Sequence, residues 1–483
     1  MGKTIVEIKS AVPRMEHLQF DKPIDWKIEQ DDFYVVIGPN GAGKTVLTDV
    51  LQGKYALKAG EVVALSVEDT PRQLNDVVKV VAFKDIYSLV DTNNTYYQQR
   101  WNKGGEQDMP IAGELVKSAN QKWLQSLVEW FGIEDLMNKG INLLSSGELR
   151  KFLIIKALLT QPQVLVLDNP FIGLDVASRL VLNTLLSRLF ELEGLQIVLV
   201  LSNPNEIPDM ATKILPIKEK HLYPVMTRED FLSDMNLLED LFPQPKDQDI
   251  SKLKKLYPNE SIEYRYAAVL KNIHVKYDDR TILHDLDWSV GRGEKWALLG
   301  PNGAGKSTLL SLICGDNPQA YANDITLFDR KRGTGESIWD IKKHIGYISP
   351  EMHLYYLKNV RSIDVVGSGF FDTIGLYRKC DSRQEAIALE WMKLFGIERI
   401  KEVSFLQISS GEQRLALLAR LFVKNPELLI LDEPLHGLDA SNKRLVKRVI
   451  EEFCTKDKSL VYVTHYEHEI PAIVDKRLEL KKI

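Results

Sequence analysis

VVIGPNGAGKT occupies residues 35–45, and ALLGPNGAGKS occupies residues 297–307. In each, a hydrophobic run leads into a glycine-rich turn and then a lysine followed by a hydroxyl residue. The glycines, Gly38, Gly41 and Gly43 in one and Gly300, Gly303 and Gly305 in the other, let backbone amides turn inward around phosphate oxygens at the amino end of a helix. Asn40 and Asn302 belong to the same two loops. Lys44 and Lys306 would reach the β- and γ-phosphates, and the hydroxyls of Thr45 and Ser307 would ligate Mg²⁺. One match to this pattern is a weak signal. Two matches, each after a strand-like run and before a helical one, make a strong one.

The pair belongs to a longer repetition. LSSGELR at 144–150 recurs as ISSGEQR at 408–414, and VLVLDNPFIGLD at 164–175 recurs as LLILDEPLHGLD at 428–439. The tail IVLVLSNPNEIP at 197–208 returns as LVYVTHYEHEIP at 460–471. Lys44 and Lys306 stand 262 positions apart, while Gly147/Gly411 and Asp168/Asp432 both stand 264 apart. A period of this length marks duplication of a whole domain. We place the first domain at 1–218, a linker at 219–262 and the second domain at 263–483. The linker mixes charges of both signs, includes Pro243 and Pro245, and reads as one or two short helices. Each domain reads as α/β. Val/Ile/Leu runs at 164–167, 197–201, 428–431 and 460–463 suit a buried parallel sheet, with helical patterns between them that Pro162 and Pro426 close.

Bulk properties fit this reading. The 483 residues are 44% hydrophobic and 27% charged, with a net charge of −5, so no overall basicity or direct motif argues for nucleic acid. Three cysteines make no disulfide framework and fit a reducing cytoplasm. The longest run without Asp, Glu, Lys or Arg is Gly194–Asn205, twelve residues, against the roughly 20 that a membrane-spanning helix needs. A cytoplasmic protein, peripheral on the inner membrane if it serves a membrane partner, is expected.

Asp168 and Asp432 end hydrophobic strands, where a carboxylate can hold the magnesium of a bound nucleotide. The next residue differs: Asn169 in one copy, Glu433 in the other. The serine–glycine pairs Ser145/Gly147 and Ser409/Gly411 open helices and form a second anion site in each domain. The same residues also make a good helix cap.

Together these motifs resemble the nucleotide-binding domain of the ATP-binding cassette (ABC) superfamily. They run in its order of phosphate loop, signature, aspartate strand, GLD loop and terminal histidine, over all of the chain but the linker. DITLFDRKRGTGESIWDIKKHIGYIS and SGFFDTIGLY bring a closer likeness to the ModF family of tandem cassette proteins, named from a molybdate-transport locus. The resemblance implies two P-loop domains, each with a mainly parallel core sheet and a helical signature subdomain. It implies ATP and Mg²⁺ as ligands and an intramolecular dimer of the two cassettes. One composite site would join Gly303, Lys306, Ser307, Asp432, Glu433 and His465 with Ser145 and Gly147. The other would join Lys44, Thr45 and Asp168 with Ser409 and Gly411.

Glu433 would orient or deprotonate the attacking water, and His465 would contact the γ-phosphate. The other copy has Asn169 and Ser202 at these positions, so it should bind ATP and hydrolyse it poorly; drift in one copy is the alternative. Tyr277 sits where the family stacks an aromatic on adenine, and the first half has no clear equivalent near Met15. Val67 and Pro350 stand where transporters of the family keep a coupling glutamine, with Glu68 and Glu351 nearby. TYYQQRWNKGGEQ at 95–107 is either a docking surface or a surface insertion. An integral membrane permease is the implied partner. The alternatives are a ribosome-associated ATPase of the ABC-F type and a regulatory or repair-associated ATP switch.

Overall fold

In the computed structural model the described residues are 3–65, 71–83, 111–116, 120–141, 144, 146–192, 194–245, 253, 257, 262–277, 280–350, 352, 356, 359–373 and 378–482. They form two compact units, one mainly of residues up to Gln244 and the other mainly of residues from Pro245 onward, with Asp439–Ser441 grouped with the first.

The first unit is organised by a sheet whose strands lie in the order 221–222, 213–218, 33–37, 196–201, 164–168 and 78–82. The five longer strands pair in parallel, with Ile37 opposite Leu201 and Asp168 opposite Val200. The short strands 221–222 and 226–227 both pair antiparallel with 213–218. The strand over Val164–Asp168 is buried throughout because both of its faces are covered. Leu165, Leu167, Val35 and Ile37 enter one apolar cluster, and Val164, Val166, Tyr34 and Val36 enter another. This is the period-two alternation of a strand read on both sides. The unit also has an antiparallel sheet over 24–29, 4–13, 57–65 and 71–72. The helices Gln121–Phe131 and Ser146–Leu158 pack into the first cluster.

The second unit repeats the plan. Its parallel sheet runs 345–348, 428–432, 459–463, 295–299 and 476–479, beside an antiparallel sheet over 280–291, 266–277, 324–327 and 330–331. Its helical part is built from Ser362–Gly367, Ser382–Leu394 and Ser410–Phe422. There the fully buried Trp391 ring stacks on Phe422 at 4.8 Å. The α/β class with parallel core sheets is as expected. The two signature helices end at Leu158 and Phe422. Gln161 and Asn425, at φ 50° and 54°, then turn the chain immediately before Pro162 and Pro426.

The segment at 219–262 does hold two short helices, Arg228–Ser233 and Met235–Leu241, but they are packed rather than free. Thr227 caps the first and Asp234 the second, and Phe231, Leu237, Leu241 and Phe242 enter the core of the first unit. Farther on, Leu253 lies in the core of the second unit. There Tyr257 Oη accepts from Trp391 Nε1 at 2.7 Å and donates to the Phe422 carbonyl at 3.2 Å. Apolar residues in this segment thus attach it to folded structure at both ends.

Candidate nucleotide-binding and hydrolysis site

Each phosphate loop leaves the sheet at the carboxyl end of its strand, and the lysine opens the following helix. In the first unit Lys44 starts a helix over Lys44–Leu51, with Gly43 before it at φ 107°. In the second, Lys306 starts Lys306–Cys314, with Gly305 at φ 90°. Glycine is required at Gly38 for another reason: a Cβ there would meet the Ile217 carbonyl oxygen at 2.0 Å. At Gly300 the same construction meets the Leu480 carbonyl oxygen at 2.5 Å. Both lysines fold back over their loops. Lys44 Nζ donates to the carbonyls of Gly38 and Pro39, both at 2.7 Å, and Lys306 Nζ to those of Gly300 and Pro301 at 2.6 and 3.0 Å. Burial lowers the Lys44 ammonium to about 8, although Asp168 pulls the other way. A buried cation held by neutral carbonyls is suited to an arriving phosphate.

Asp168 and Asp432 are buried at the ends of their strands. The residues after them share a left-handed backbone, with φ 52° at Asn169 and 46° at Glu433. Their amides donate equivalently, to the Val200 and Val463 carbonyls at 2.9 and 3.0 Å. The side chains do different things. His465 Nε2 lies 2.9 Å from Glu433 Oε1. Burial raises the Glu433 carboxyl, but the His465 hydrogen bond and the charges of His436, His465 and Lys306 outweigh it and bring the group to about 2. Glu433 is therefore a fixed anion, suited to orienting a water through charge. Asn169 Nδ2 instead donates to Asp168 Oδ1 at 2.9 Å, and Ser202 Oγ donates to Asn169 Oδ1 at 3.4 Å.

The loop carrying His465 is pinned by an ion pair that the sequence reading overlooked. Lys443 Nζ lies 2.8 Å from Glu469 Oε1, and Thr464 Oγ1 donates to Glu469 Oε2 at 3.0 Å. The first unit keeps the equivalent pair, Arg179 with Glu206 at 3.1 Å. The repeated EIP at 206–208 and 469–471 was the available signal.

Ser409 acts as the cap that its sequence also suggested. Its Oγ accepts from the Glu412 amide at 3.3 Å and donates to Glu412 Oε2 at 2.7 Å, while its own amide donates to the same carboxylate at 2.9 Å. Gly411 and Gly147 lie in the first turns of their helices. Ser145 lies outside the described residues, as do Val67, Glu68, Glu351, the stretch 95–107 and residues 374–377 of SGFFDTIGLY. Tyr277 ends the strand Tyr266–Tyr277, half-buried, and its Oη accepts from Asn317 Nδ2 at 2.8 Å. In the first unit Phe20, another residue the sequence reading missed, borders the phosphate loop. A Cβ on Gly43 would lie 3.5 Å from Phe20 Cζ. The 262-residue offset sets Phe20 opposite Ile282, which borders Gly305 in the same way.

The donor sets fit Mg²⁺ bound with a nucleotide. Each unit offers one strand-end aspartate and one hydroxyl at the start of the phosphate-loop helix. Among the described residues no group of three or more His, Cys, Asp or Glu side chains gathers around a metal position. An ion here would thus draw further oxygens from phosphate and water, as Mg²⁺ does.

The ABC transporter family matches residues 22–172 and 283–436. The ABC transporter ATP-binding protein ModF of Escherichia coli (strain K12) is 38% identical over 462 residues, covering 93% of this chain and 91% of ModF. An uncharacterised ABC transporter ATP-binding protein of Schizosaccharomyces pombe is 28% identical over 469 residues, covering 95% and 94%. Among solved structures, the complex of archaeal ribosomal stalk protein aP1 with the ribosome recycling factor aABCE1 gives a TM-score of 0.56 at 17% identity, covering 97% of this chain and 87% of that one. Ribosome-bound archaeal Pelota and ABCE1 gives 0.58 at 18%, covering 93% and 72%. At those identities the structural likeness concerns the fold alone. Two family matches, a relative alike along nearly the whole chain, and two phosphate loops set on parallel sheets lead to one conclusion: the chain belongs to the ABC family of ATP-binding proteins, as an ATPase with two cassettes in tandem.

Proposed function

We propose that the second cassette carries the hydrolytic site and that the first binds ATP with little or no turnover. The contrast between Glu433 with His465 at 2.9 Å and Asn169 with Ser202 at 3.4 Å carries this reading. Lys306 and the helix behind it hold the phosphates, and Ser307 and Asp432 hold Mg²⁺. That ion supplies charge neutralisation at the phosphates. Glu433 orients the water, while His465 fixes the carboxylate and faces the transferred phosphoryl. In the first cassette Lys44, Thr45 and Asp168 provide binding without a carboxylate at the water position. Following the family's head-to-tail habit, Ser145 and Gly147 serve the Lys306 site, and Ser409 and Gly411 serve the Lys44 site. Tyr277 and Phe20 border the two nucleotides.

The work driven by this cycle is transport through a separate membrane subunit. Its support is the 38% identity to a protein named as an ABC transporter ATP-binding protein. Among the described residues no helix is long and apolar enough to cross a membrane, which is consistent with a separate permease. Molybdate or another small anion as cargo follows only from the relative's name. The test is to trap the closed state with Glu433→Gln, fractionate cells in the presence of ATP and identify what is retained. Recovery with an integral membrane protein is expected. Sedimentation with ribosomes and without membranes would overturn transport in favour of a ribosome-associated ATPase, and recovery with neither would favour a free ATP switch.

A further inference from the structure

Several carbonyls of the turn that carries Glu433 accept from one side chain outside the set assigned to binding and hydrolysis. Arg414 lies in the first half of the helix Ser410–Phe422 and is buried. Its guanidinium donates to four carbonyls. Nε reaches Pro434 at 3.2 Å, Nη2 reaches Asp432 at 3.3 Å and Glu433 at 2.6 Å, and Nη1 reaches Ser349 at 2.6 Å. Three of these carbonyls belong to consecutive residues of the turn that carries Asp432 and Glu433. The fourth follows directly on the strand Ile345–Ile348.

The turn needs such a hold. Glu433 is a non-glycine residue at φ 46°, a backbone state that is unfavourable for an L-residue with a side chain. Such residues persist where their surroundings over-determine them. A planar cation with five fixed donors can bind several carbonyls at once, and charge-assisted bonds are about twice as strong as neutral ones. A lysine, with a mobile point charge, would reach fewer of them at good angles.

We propose that Arg414 is a positioning residue for hydrolysis, which locks the left-handed turn so that Glu433 meets His465 and Asp432 meets the metal, and ties that turn to the end of the neighbouring strand at Ser349. It acts through Glu433 and touches no reacting atom. The signature helix therefore supports its own cassette's hydrolytic residues from behind, in addition to presenting its amino end to a nucleotide. This inference rests on the assignment of hydrolysis to the second cassette.

The test compares Arg414→Met and Arg414→Lys with Arg420→Met in the full chain. Arg420 is a second buried arginine on the same helix, whose bonds go to Ser368 Oγ and the Thr373 carbonyl, away from the turn. Folded fraction is measured by circular dichroism, and kcat and KM for MgATP are measured per folded molecule. Arg414→Met should lose at least thirtyfold in kcat with KM within threefold of wild type, and Arg414→Lys should fall between the two. Arg420→Met should keep its kcat. Equal losses at Arg414 and Arg420, or a loss confined to KM, would overturn the proposal. So would failure of both Arg414 variants to fold while Arg420→Met folds, because the side chain would then be a folding requirement. Glu433→Gln run alongside separates the two levels: if it keeps wild-type turnover, the site assignment has failed rather than the role of Arg414.

Discussion

Replacing Glu433 with glutamine keeps the shape of the side chain and removes its charge, which the structure shows to be strongly favoured. The carboxyl sits at about 2 against an ordinary 4.5, a difference worth about 3 kcal/mol of preference for the ionised form. Because the folded value is depressed, this contribution is complete above about pH 4.5 and is lost as pH falls through about 2. At pH 7 the wild type holds it in full and Glu433→Gln has none, so His465 faces an amide. If the carboxylate orients the attacking water, removing it costs about 10²–10⁴ in kcat, or about 3–5 kcal/mol of barrier. Phosphate release at saturating MgATP should fall by that factor, while nucleotide binding, measured by fluorescence of a labelled ATP, should stay within a few-fold. The same argument fixes the wild-type pH profile: kcat/KM should show no acid limb from this carboxylate above about pH 4. Turnover of Glu433→Gln within threefold of wild type would refute the reasoning.

Three further outcomes concern the first cassette. Asn169→Glu alone should leave steady-state turnover within twofold of wild type, since Ser202 offers no imidazole. Asn169→Glu with Ser202→His should restore hydrolysis measurable in a Glu433→Gln background, and phosphate release that stays at background would count against the assignment. Because burial sets the Lys44 ammonium at about 8 in the free site, and a bound triphosphate requires the cation, affinity at that site should be level below pH 8. It should then fall toward tenfold per pH unit above it. Titration of labelled ATP between pH 7 and 9.5 in Glu433→Gln checks this, and a flat profile through pH 9.5 would remove the basis for it.

The parts of the fold that could be read in advance were those written in local patterns. Val164–Asp168 and Leu428–Asp432 are continuous apolar runs because both faces of each strand are covered, and the phosphate loops are written as local glycine patterns, even though Gly38 and Gly300 are required by the distant carbonyls of Ile217 and Leu480. The features that escaped are set by tertiary contact. Arg414 meets Ser349 across 65 positions, and Lys443 meets Glu469 across 26. Phe20 borders Gly43 only once the chain has folded. Phe231 and Leu241 belong to a segment whose charges suggest a linker, but four apolar side chains there are enough to dock it on a core. Ser409 had two readings in the sequence. Its bonds with Glu412 make it a cap, and service to the nucleotide of the Lys44 site is the further role proposed for it with Gly411.

The turns after Asp168 and Asp432 share a left-handed residue and a backbone bond but differ in side-chain chemistry, and this bears on why one lacks its carboxylate. Asn169 and Glu433 are both left-handed and both bonded to the next strand. Asparagine is among the residues most tolerant of that conformation, and glutamate has no such local advantage. The first cassette thus holds its turn with a residue suited to the backbone, whose amide settles on Asp168. The second holds the same turn with a less suited residue, kept in place by Arg414 and His465, while at the matching position of the first, Arg150 donates to the Ile172 carbonyl. Backbone strain retained against local preference points to selection for what the side chain does. Loss of Glu at the first turn relaxes that strain while leaving Lys44, Thr45 and Asp168 in place for binding. The amide bond to Val200 and the Arg179–Glu206 pair keep the first turn in shape without a carboxylate, which is what the proposal of a first site that holds nucleotide while the second one turns it over requires.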